Sequence, residues 1–298
     1  MKIGIVANIT KESVMEVVAT FIQKLKANKI DYLLTHSLNE INGKIKIEID
    51  DEFIVDDTDL YQQSDLIISF GGDGTMLATA FNAQKYDKPV LGINLGKLGF
   101  LVEADVSNLD TVIDVIKNKR YTIEERMIIE GNCTDYKCER MIAINDLVID
   151  KGGWPKMIEL TVWVDGEYVT TFTADGLIVA TPTGSTGYSI SVGGPIVSPQ
   201  ADVITLSPIS PHSLTVRPIV LPSKSEITIK ADSLHRDIKI NCDGQRSYSF
   251  PPPMEIIIRR SDNSLKLVHT SLTTYFQTLR TKLLWGIDTR YSNKGNKK

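Results

Sequence analysis

Cysteine is scarce in this sequence, with three residues in 298. Cys133, Cys138 and Cys242 are odd in number and include no Cys-x-x-Cys pair, and the four histidines are scattered without metal-ligand spacing. This pattern favours structural thiols in a reducing compartment over a disulfide framework or a zinc site.

Long apolar runs and an excess of positive charge are also missing. No run of apolar residues reaches the roughly 18 needed to cross a membrane. The net charge is −4, which argues against non-specific nucleic-acid binding, because such binding depends on clustered cations. We therefore expect a cytoplasmic protein that has neither a membrane nor a nucleic acid as a partner.

The two best-known phosphate-binding loops are absent as well. The sequence contains no Gly-x-x-x-x-Gly-Lys-Ser/Thr, which excludes a P-loop. It does contain Gly72-Asp73-Gly74, but Leu77 stands where the dinucleotide fingerprint has its third glycine. A phosphate ligand would have to be bound in another way.

A different glycine-rich segment organises the chain. The apolar run 65–70 predicts a strand buried on both faces, Gly71-Gly72-Asp73-Gly74-Thr75 follows it, and residues 76–81 predict a helix. Glycine lets a ligand approach the backbone, and a helix start offers unpaired N–H groups and a positive dipole end. The segment fits a polyphosphate. It also fits a tight turn in which Asp73 only caps the helix.

The first 120 residues alternate predicted strands with predicted helices. The expected strands are 2–8, 31–35 and 89–94, and the expected helices are 14–28 and 109–116. We expect Ser107 to cap the second helix, and a polar, acidic connection before residue 65. This alternation predicts a parallel, doubly wound sheet that binds ligands beyond the carboxyl ends of its strands. The glycine segment and a second glycine-bearing loop, 95–101, would lie at that edge.

From about Tyr121 the pattern changes to strands separated by turns. The clearest signal is a hairpin, with strands 158–164 and 167–172 joined by Asp165-Gly166. Helical spacing returns at 274–285. The sequence therefore predicts an α/β domain over 1–120, completed by a C-terminal helix within 271–298, and a β-rich domain over 121–270.

Two further segments have polar residues in apolar surroundings. Asn145-Asp146 interrupts an apolar strand, so both side chains need partners, either from a structural bulge or from ribose hydroxyls. Residues 175–191 place Asp175 before an apolar strand and a glycine- and hydroxyl-rich loop after it. That loop is either a polar surface loop or a nucleotide contact, and its apolar flanks favour the second interpretation. Asp243-Gly244-Gln245 and Lys156 are weaker candidates, more typical of a hairpin turn and a solvated lysine.

Together these segments resemble the NAD kinase family. The matching segments, in order, are 71–75, 94–101, Asn145-Asp146, 175–191 with Gly193-Gly194-Pro195, 211–214, Arg217-Pro218 and 243–245. The resemblance covers nearly the whole chain. It implies an α/β plus all-β fold: a doubly wound, Rossmann-like N-terminal domain and a β-rich, sandwich-like C-terminal domain, as in NAD kinases and diacylglycerol kinases. It also implies a site between the domains, often completed across a subunit interface.

The implied activity is transfer of the γ-phosphoryl group of ATP to the 2′-hydroxyl of the adenosine ribose of NAD. Asp73 would be the general base, Asn145 and Asp146 would hold ribose hydroxyls, and Asp175 would meet the nicotinamide half. The phosphate loop would be Gly71, Gly72, Gly74 and Thr75. Further contacts would come from Phe100, Lys156, Thr173, Thr183, Thr186, Gly187, Tyr188, Ser189, Ile190, Ser191 and Gln245. Some relatives that prefer NAD to NADH carry Arg at the position of Thr173, so use of NADH stays open.

The resemblance further implies Mg²⁺ or another divalent metal, carried by the ATP rather than by a dedicated protein site, and a homodimer or homotetramer. Two alternatives remain. A lipid kinase of the diacylglycerol or sphingosine type would need a greasy acceptor pocket in place of the hydroxyl-rich loop. A non-catalytic NAD(P)-binding sensor would have no need of Asp73.

Overall fold

The computed structural model divides the chain into two compact units. The residues that it describes are 1–8, 12–36, 38, 51–96, 99–134, 136, 139–234 and 237–285. Unit 1 comprises Met1–Thr79, Lys88–Glu124 and Leu267–Lys298, and unit 2 comprises Ala80–Asp87 and Glu125–Lys266. Among the described residues, no helix is both long and apolar enough to cross a membrane.

Unit 1 is built on a parallel sheet. Its strands are β1 (Lys2–Ala7), β2 (Asp31–Thr35), β3 (Ile54–Val55), β4 (Leu66–Gly71) and β5 (Val90–Asn94). They lie side by side in the order β3-β2-β1-β4-β5, and every neighbouring pair is parallel. A short strand, β6 (Ala104–Asp105), extends the sheet beyond β5. The chain order reverses at β1, so the carboxyl ends of β1 and β4 flank the position where such sheets bind ligands.

Helices cover both faces of this sheet, as the sequence predicts. They are α1 (Glu12–Ala27), α2 (Asp57–Gln63), α3 (Asp73–Ala83) and α4 (Leu109–Lys117). Ile3 and Ile5 join α1 and α4 in one buried apolar core. Gly4, which points to the opposite face, is so close to Leu60 of α2 that a side chain there would overlap it. The doubly wound arrangement is therefore confirmed.

Three local expectations differ from the structure. The acidic connection before β4 contains β3 and α2, because Leu60 and Tyr61 provide a buried helical face within a polar sequence. Helix α3 begins at Asp73, three residues earlier than the apolar spacing indicates. The Ser107 cap is wrong: the Asp105 side chain accepts the Ser107 N–H and starts a short 3₁₀ turn, after which α4 begins.

Unit 2 contains two groups of paired strands, although the first three residues of β7 and the last three of β18 belong to unit 1. One group comprises β7 (Thr122–Cys133), β8 (Met141–Ala143), β10 (Ile158–Val164), β11 (Glu167–Ala174), β15 (Ile227–Asp232) and β18 (Met254–His269). The other comprises β9 (Asp146–Asp150), β12 (Gly176–Ala180), β13 (Val203–Ile209), β14 (Ile219–Pro222), β16 (Ile238–Cys242) and β17 (Arg246–Phe250). The second group is an antiparallel sheet in the order β14-β13-β12-β9-β16-β17.

The predicted hairpin is present as β10 and β11. Asp165 and Gly166 have φ angles of 51° and 81°, the left-handed conformations that a two-residue turn between twisted strands requires. β10 then pairs with β15, and β15 with β18, all antiparallel.

The two sheets of unit 2 enclose one apolar core. Leu147 of β9, Val179 of β12 and Ile240 of β16 pack in the same buried cluster as Leu160 of β10 and Ile229 of β15. The alternation of buried and exposed residues along β10 and β15 follows from this arrangement, because only one face of each sheet meets the core. The predicted β-rich, sandwich-like fold is confirmed.

Two short helical segments interrupt the strands of unit 2. Residues Thr183–Thr186 form a 3₁₀ turn, and α5 (Tyr188–Ser191) follows at once. At the end of the chain, α6 (Tyr275–Leu283) belongs to unit 1. It starts at Thr274, whose side chain accepts the Gln277 N–H while the Gln277 side chain accepts the Thr274 N–H.

Candidate functional site

The two glycine-bearing loops of unit 1 meet at Asp73. Its two carboxylate oxygens accept hydrogen bonds from successive backbone amides of the second loop, Oδ2 from Phe100 N at 2.9 Å and Oδ1 from Leu101 N at 3.0 Å. Both loops follow neighbouring strands, with Gly71 of β4 opposite Asn94 of β5. The prediction that they share one edge of the sheet is confirmed, and the side chain that joins them is the carboxylate of the glycine motif.

Glycine is needed in these loops for space rather than for an unusual backbone. Gly71, Gly72 and Gly74 all have ordinary, non-positive φ angles. A Cβ on Gly71 would overlap Thr75, and one on Gly99 would overlap the Asp73 carboxylate. Gly72 and Gly74 differ, because both are exposed and nothing lies within 4 Å of an added Cβ. The exposed surface beside Asp73 at the start of α3 is therefore open.

In unit 2, the polar pair Asn145-Asp146 lies at a break between strands rather than inside one. β8 ends at Ala143 and β9 begins at Asp146. The three backbone amides of Ile144, Asn145 and Asp146 converge on one oxygen, Asp243 Oδ1, at 2.9, 2.7 and 3.3 Å. We call residues 144–146 the amide turn. The backbone N–H groups of the amide turn are thus bonded within the protein, as the structural interpretation expects. The Asp146 carboxylate accepts the Tyr188 backbone N–H.

Asp243 is a buried carboxylate with a complete set of partners. Oδ2 pairs with Arg246 Nη2 at 2.7 Å, and the side chain is 1% exposed. Asp243 and Gly244 have φ angles of 55° and 65°, so they form the tight turn between β16 and β17 that the sequence predicts. This turn between β16 and β17 thus also places the Asp243 carboxylate where it accepts the backbone N–H groups of the amide turn.

Asp146 and Asp243 are two buried carboxyl groups that interact electrostatically. Burial, with a further contribution from the charge of Asp243, raises the pKa of Asp146 to about 7, although the Tyr188 backbone N–H opposes the shift. Burial also raises the pKa of Asp243, against the three amides and Arg246. Burial raises the pKa of the neighbouring Cys242 thiol to about 12, so this thiol is neutral. A carboxyl that titrates near neutral pH is typical of a functional position.

A cavity of about 360 Å³ opens beside this pair. It is lined by Asn145, Asp146, Val148, Asp150, Tyr188, Asn241, Asp243 and Gly244. Its size lies within the range of ligand pockets, roughly 300–1,000 Å³. The Oδ1 atom of Asn145 is buried without a hydrogen-bond partner. Acidic and amide groups that surround a cavity in this way suit a ligand with hydroxyl groups.

The glycine-rich segment after β12 packs directly on the amide turn. Thr181 Oγ1 donates to Ile144 O at 2.6 Å, and Thr181 N donates to Asn145 O at 2.9 Å. A Cβ on Gly184 would overlap the Asn145 carbonyl, and one on Gly187 would lie 3.5 Å from Asp146 Oδ2. These contacts explain why a short stretch at the end of a buried strand contains both threonine and glycine.

The hydroxyl groups of this segment mostly bond within the protein. Thr186 Oγ1 donates to Thr183 O, Ser191 Oγ donates to Tyr188 O, and Ser189 Oγ bonds Ser207 Oγ at 3.0 Å. Of Thr183, Thr186, Gly187, Tyr188, Ser189, Ile190 and Ser191, only Tyr188 lines the cavity described above. The segment lies inside the fold, as the sequence analysis predicts. More of its hydroxyl groups bond to other groups of the protein than that analysis expects.

Four other residues that the sequence predicts for the site, Asp175, Thr173, Lys156 and Gln245, do not line this cavity. Asp175 immediately precedes β12 and its Oδ1 is 2.5 Å from Lys151 Nζ, while Thr173 is exposed on β11 and its carbonyl accepts the His212 N–H. Lys156 and Gln245 are exposed. The described residues contain no group of three His, Cys, Asp or Glu side chains arranged to hold a metal ion.

Sequence reasoning missed Arg246, and it singled out Asp243 only within a weaker candidate, Asp243-Gly244-Gln245. The signal available was an Asp-Gly turn, which is common at hairpins, and nothing in it shows that the carboxylate bonds residues almost a hundred positions earlier. Such a long-range contact appears only once β9 and β16 are paired.

Comparisons with known proteins agree with this architecture. Residues 3–121 match the family model of the ATP-NAD kinase N-terminal domain, and residues 144–270 match that of the ATP-NAD kinase C-terminal domain. An NAD kinase from Chlorobium phaeovibrioides is 37% identical over 287 residues, which cover 96% of this chain and 99% of that protein. An NAD kinase from Bacteroides fragilis is 39% identical over 256 residues, 86% of this chain and 87% of that protein.

Solved structures give the same answer for the fold. A yeast NADH kinase, crystallised with NADH, is 28% identical with a TM-score of 0.88, over 98% of this chain and 90% of that one. An NAD kinase from Archaeoglobus fulgidus, in complex with ATP, is 26% identical with a TM-score of 0.72, over 95% of this chain and 99% of that one.

The fold and these matches define an ATP-dependent phosphotransferase that acts on an alcohol group. The chain belongs to the NAD kinase family. It transfers the γ-phosphoryl group of ATP to the 2′-hydroxyl of the adenosine ribose of NAD, which makes NADP. Neither alternative, the lipid kinase or the non-catalytic sensor, finds support in these matches.

Proposed function

We propose that Asp73 is the residue that orients and deprotonates the 2′-hydroxyl of NAD. The observation that supports this role is its anchoring: two backbone amides fix the carboxylate at the open start of α3. As the 2′-oxygen attacks the γ-phosphorus, its proton passes to the Asp73 carboxylate, the bond to the β–γ bridging oxygen breaks, and ADP leaves. Because phosphoryl transfer has a loose transition state, a fixed orientation contributes more here than strong basicity.

The phosphates of ATP are proposed to lie along Gly71, Gly72, Gly74 and Thr75. The space around Gly72 and Gly74 admits an oxygen-rich ligand against the backbone, and the start of α3 carries the positive end of a helix dipole. We propose that Mg²⁺, or another divalent metal, arrives on ATP as part of this substrate.

The ribose hydroxyls of NAD are proposed to bind Asn145 and Asp146. Both side chains line the cavity of unit 2, and the unpartnered Asn145 Oδ1 lacks the hydrogen bond that a hydroxyl would donate. The nicotinamide half is proposed to meet Asp175, with Thr173 nearby in sequence on the exposed strand β11. Contacts from Phe100, Lys156, Thr183, Thr186, Gly187, Tyr188, Ser189, Ile190, Ser191 and Gln245 stay predictions.

Three broader predictions belong with this proposal. The α/β domain is expected to span 1–120 with a helix from 271–298, and the β-rich domain 121–270. A cytoplasmic location is expected from the small, odd number of cysteines and the lack of a Cys-x-x-Cys pair in the sequence. A homodimer or homotetramer fits the edge strand β14 of unit 2, where the side chains of Ile219 and Val220 are exposed.

A direct assay tests the proposed roles. Purified protein is incubated with ATP, Mg²⁺ and either NAD or NADH, and the 2′-phosphorylated product of each is measured. Asp73→Asn and Asn145→Ala run alongside the control Asp110→Asn, which removes an exposed carboxylate paired with Lys24 in unit 1. We expect product from the wild type and the control, a loss of most turnover in Asp73→Asn, and a raised KM for NAD in Asn145→Ala. Wild-type turnover in Asp73→Asn would remove this residue from the mechanism.

A further inference from the structure

Arg246 lies in an unusual setting for an arginine, with 21% of its side chain exposed. Its guanidinium carbon lies 3.5 Å from the centroid of the Phe81 ring, which is in unit 2. Nη2 donates to Asp243 Oδ2 at 2.7 Å and to Ile142 O at 2.9 Å. Nε and Nη1 are buried and have no hydrogen-bond partner.

Burying two guanidinium nitrogens without hydrogen-bond partners is costly, so the two hydrogen bonds of Nη2 and the stacking on Phe81 have to compensate. Both groups that accept hydrogen bonds from Arg246 are connected to the amide turn. Ile142 is in β8, directly before the amide turn, and Asp243 accepts all three amides of that turn. Arg246 therefore fixes the turn through its one charged partner and through the strand that leads into it.

We propose that Arg246 is a positioning residue for NAD binding: it holds the Asp243 carboxylate under the amide turn, and thereby sets the direction of the Asn145 and Asp146 side chains. This inference rests on the proposed role of those two side chains at the ribose. Arg246 itself does not line the cavity, whereas Asn145, Asp146 and Asp243 do. Its effect is therefore transmitted through Asp243.

The same ion pair also influences the charge of the cavity. The titratable and charged groups around the Asp243–Arg246 pair are Asp146, Asp150, Tyr188 and Cys242, together with Lys85, whose Nζ lies 4.3 Å from the centroid of the same Phe81 ring. Asp150 is bonded by Asn241 Nδ2 and Gly152 N, and Cys242 is a neutral thiol. Arg246 lowers the pKa of Asp243, and the negative charge of Asp243 raises the pKa of Asp146. Removal of Arg246 favours a protonated Asp243 and so lets Asp146 ionise at lower pH.

The test compares Arg246→Met and Arg246→Lys with Arg260→Met. Arg260 is a matched control in unit 2, because its ion pair with Asp202 lies on the surface. For Arg246→Met we expect the KM for NAD to rise about tenfold, the usual scale for one charge-assisted hydrogen bond, while the KM for ATP stays the same. The pH midpoint of kcat/KM for NAD moves below that of the wild type. Arg246→Lys keeps a charge beside Asp243 and restores the midpoint.

Four outcomes decide the proposal. A folded Arg246→Met with the wild-type KM for NAD and pH midpoint overturns it. So do equal losses in both KM values, which indicate a general structural role. If Arg246→Met fails to fold, Phe81→Leu is measured instead, because it keeps the Asp243–Arg246 ion pair but removes the ring on which Arg246 stacks. An unshifted KM for NAD in Phe81→Leu overturns the proposal. If Asp146→Asn and Asn145→Ala bind NAD as the wild type does, by calorimetry, the ribose assignment fails instead.

Discussion

The two carboxylates proposed to act on NAD, Asp73 and Asp146, are held in opposite ways. Asp73 is partly exposed at the start of a helix, and its charge is satisfied by two backbone amides. Asp146 is buried, and a second carboxylate, Asp243, contributes to the rise of its pKa to about 7. Hydrogen bonds thus fix the direction of the Asp73 carboxylate, whereas burial disfavours the anion of Asp146.

The two carboxylates are therefore suited to different tasks, Asp73 to accepting a proton and Asp146 to binding a hydroxyl. A group that accepts a proton in the reaction has to be ionised and fixed in direction, which backbone amides achieve without adding charge. A group that binds a neutral hydroxyl needs an acceptor oxygen, and because an ionised carboxylate is the stronger acceptor, NAD binding is expected to strengthen as Asp146 ionises. Kinase activity is therefore expected to depend on Asp73 through kcat and on Asp146 through the binding of NAD.

The largest effect is expected from Asp73→Asn. Loss of a general base typically costs 10²- to 10⁴-fold in rate, so we expect kcat to fall by about that factor while the KM for NAD changes little. One of the two amides, Phe100 or Leu101, loses an acceptor, which costs on the order of 1 kcal/mol of stability. Steady-state kinetics and urea unfolding measure the two quantities. A large rise in KM with kcat unchanged would contradict the separation of tasks.

Gly184→Ala should disturb the region of Asp146 through the backbone alone. The new Cβ would overlap the Asn145 carbonyl, so the segment after β12 has to move away from the amide turn. We expect a loss of about 2–4 kcal/mol, comparable to other strained or overpacked core substitutions, and weaker binding of NAD. Gly166→Ser, in the exposed hairpin turn, is a poor control because its φ is 81°. Gly153→Ala, with open space around it, is the better one.

Asp146→Asn should change the pH dependence of stability. The folded-state pKa of about 7 lies above the ordinary value of 3.8, so the folded protein binds more protons than the unfolded chain between those values. Wild-type stability therefore falls as pH rises through this interval, by at most a few kcal/mol from this group. Asparagine cannot ionise, so the variant does not lose this stability. Its free energy of unfolding is therefore expected to rise relative to that of the wild type from about pH 4 to 7, and the difference stays constant above about pH 7.

Unfolding by urea at several pH values across this range measures the difference. Asp202→Asn, on the surface of unit 2, supplies the comparison without a buried carboxyl. A stability difference between Asp146→Asn and the wild type that is the same at about pH 4 and pH 8 would show that Asp146 titrates normally in the fold.

The contrast between the two carboxylates also shows how far sequence reasoning reaches. Asp73 was identifiable because its neighbours in the chain, three glycines after a buried strand, carry the signal locally. The doubly wound sheet and the hairpin at Asp165-Gly166 follow from periodicity for the same reason. The contacts of Asp146 with Asp243, and of Asp243 with Arg246, were not identifiable, because strand pairing brings Asp243 to the amide turn from almost a hundred positions away. The helix α2 was missed since its polar residues hide two buried ones, Leu60 and Tyr61.

The smallest effect is expected from Gly74→Ala, and it bears on why the loop at Asp73 is left open. The site has room for a Cβ, and residue 74 lies in α3. Alanine in place of glycine stabilises a helix by up to about 1 kcal/mol, less in the first turn. We therefore expect a variant that is at least as stable as the wild type but has a raised KM for ATP, because the methyl group occupies space proposed for the phosphates. If ATP binds as before, the opening beside Gly74 does not take part in ATP binding, and the glycine there has no role that this structure explains.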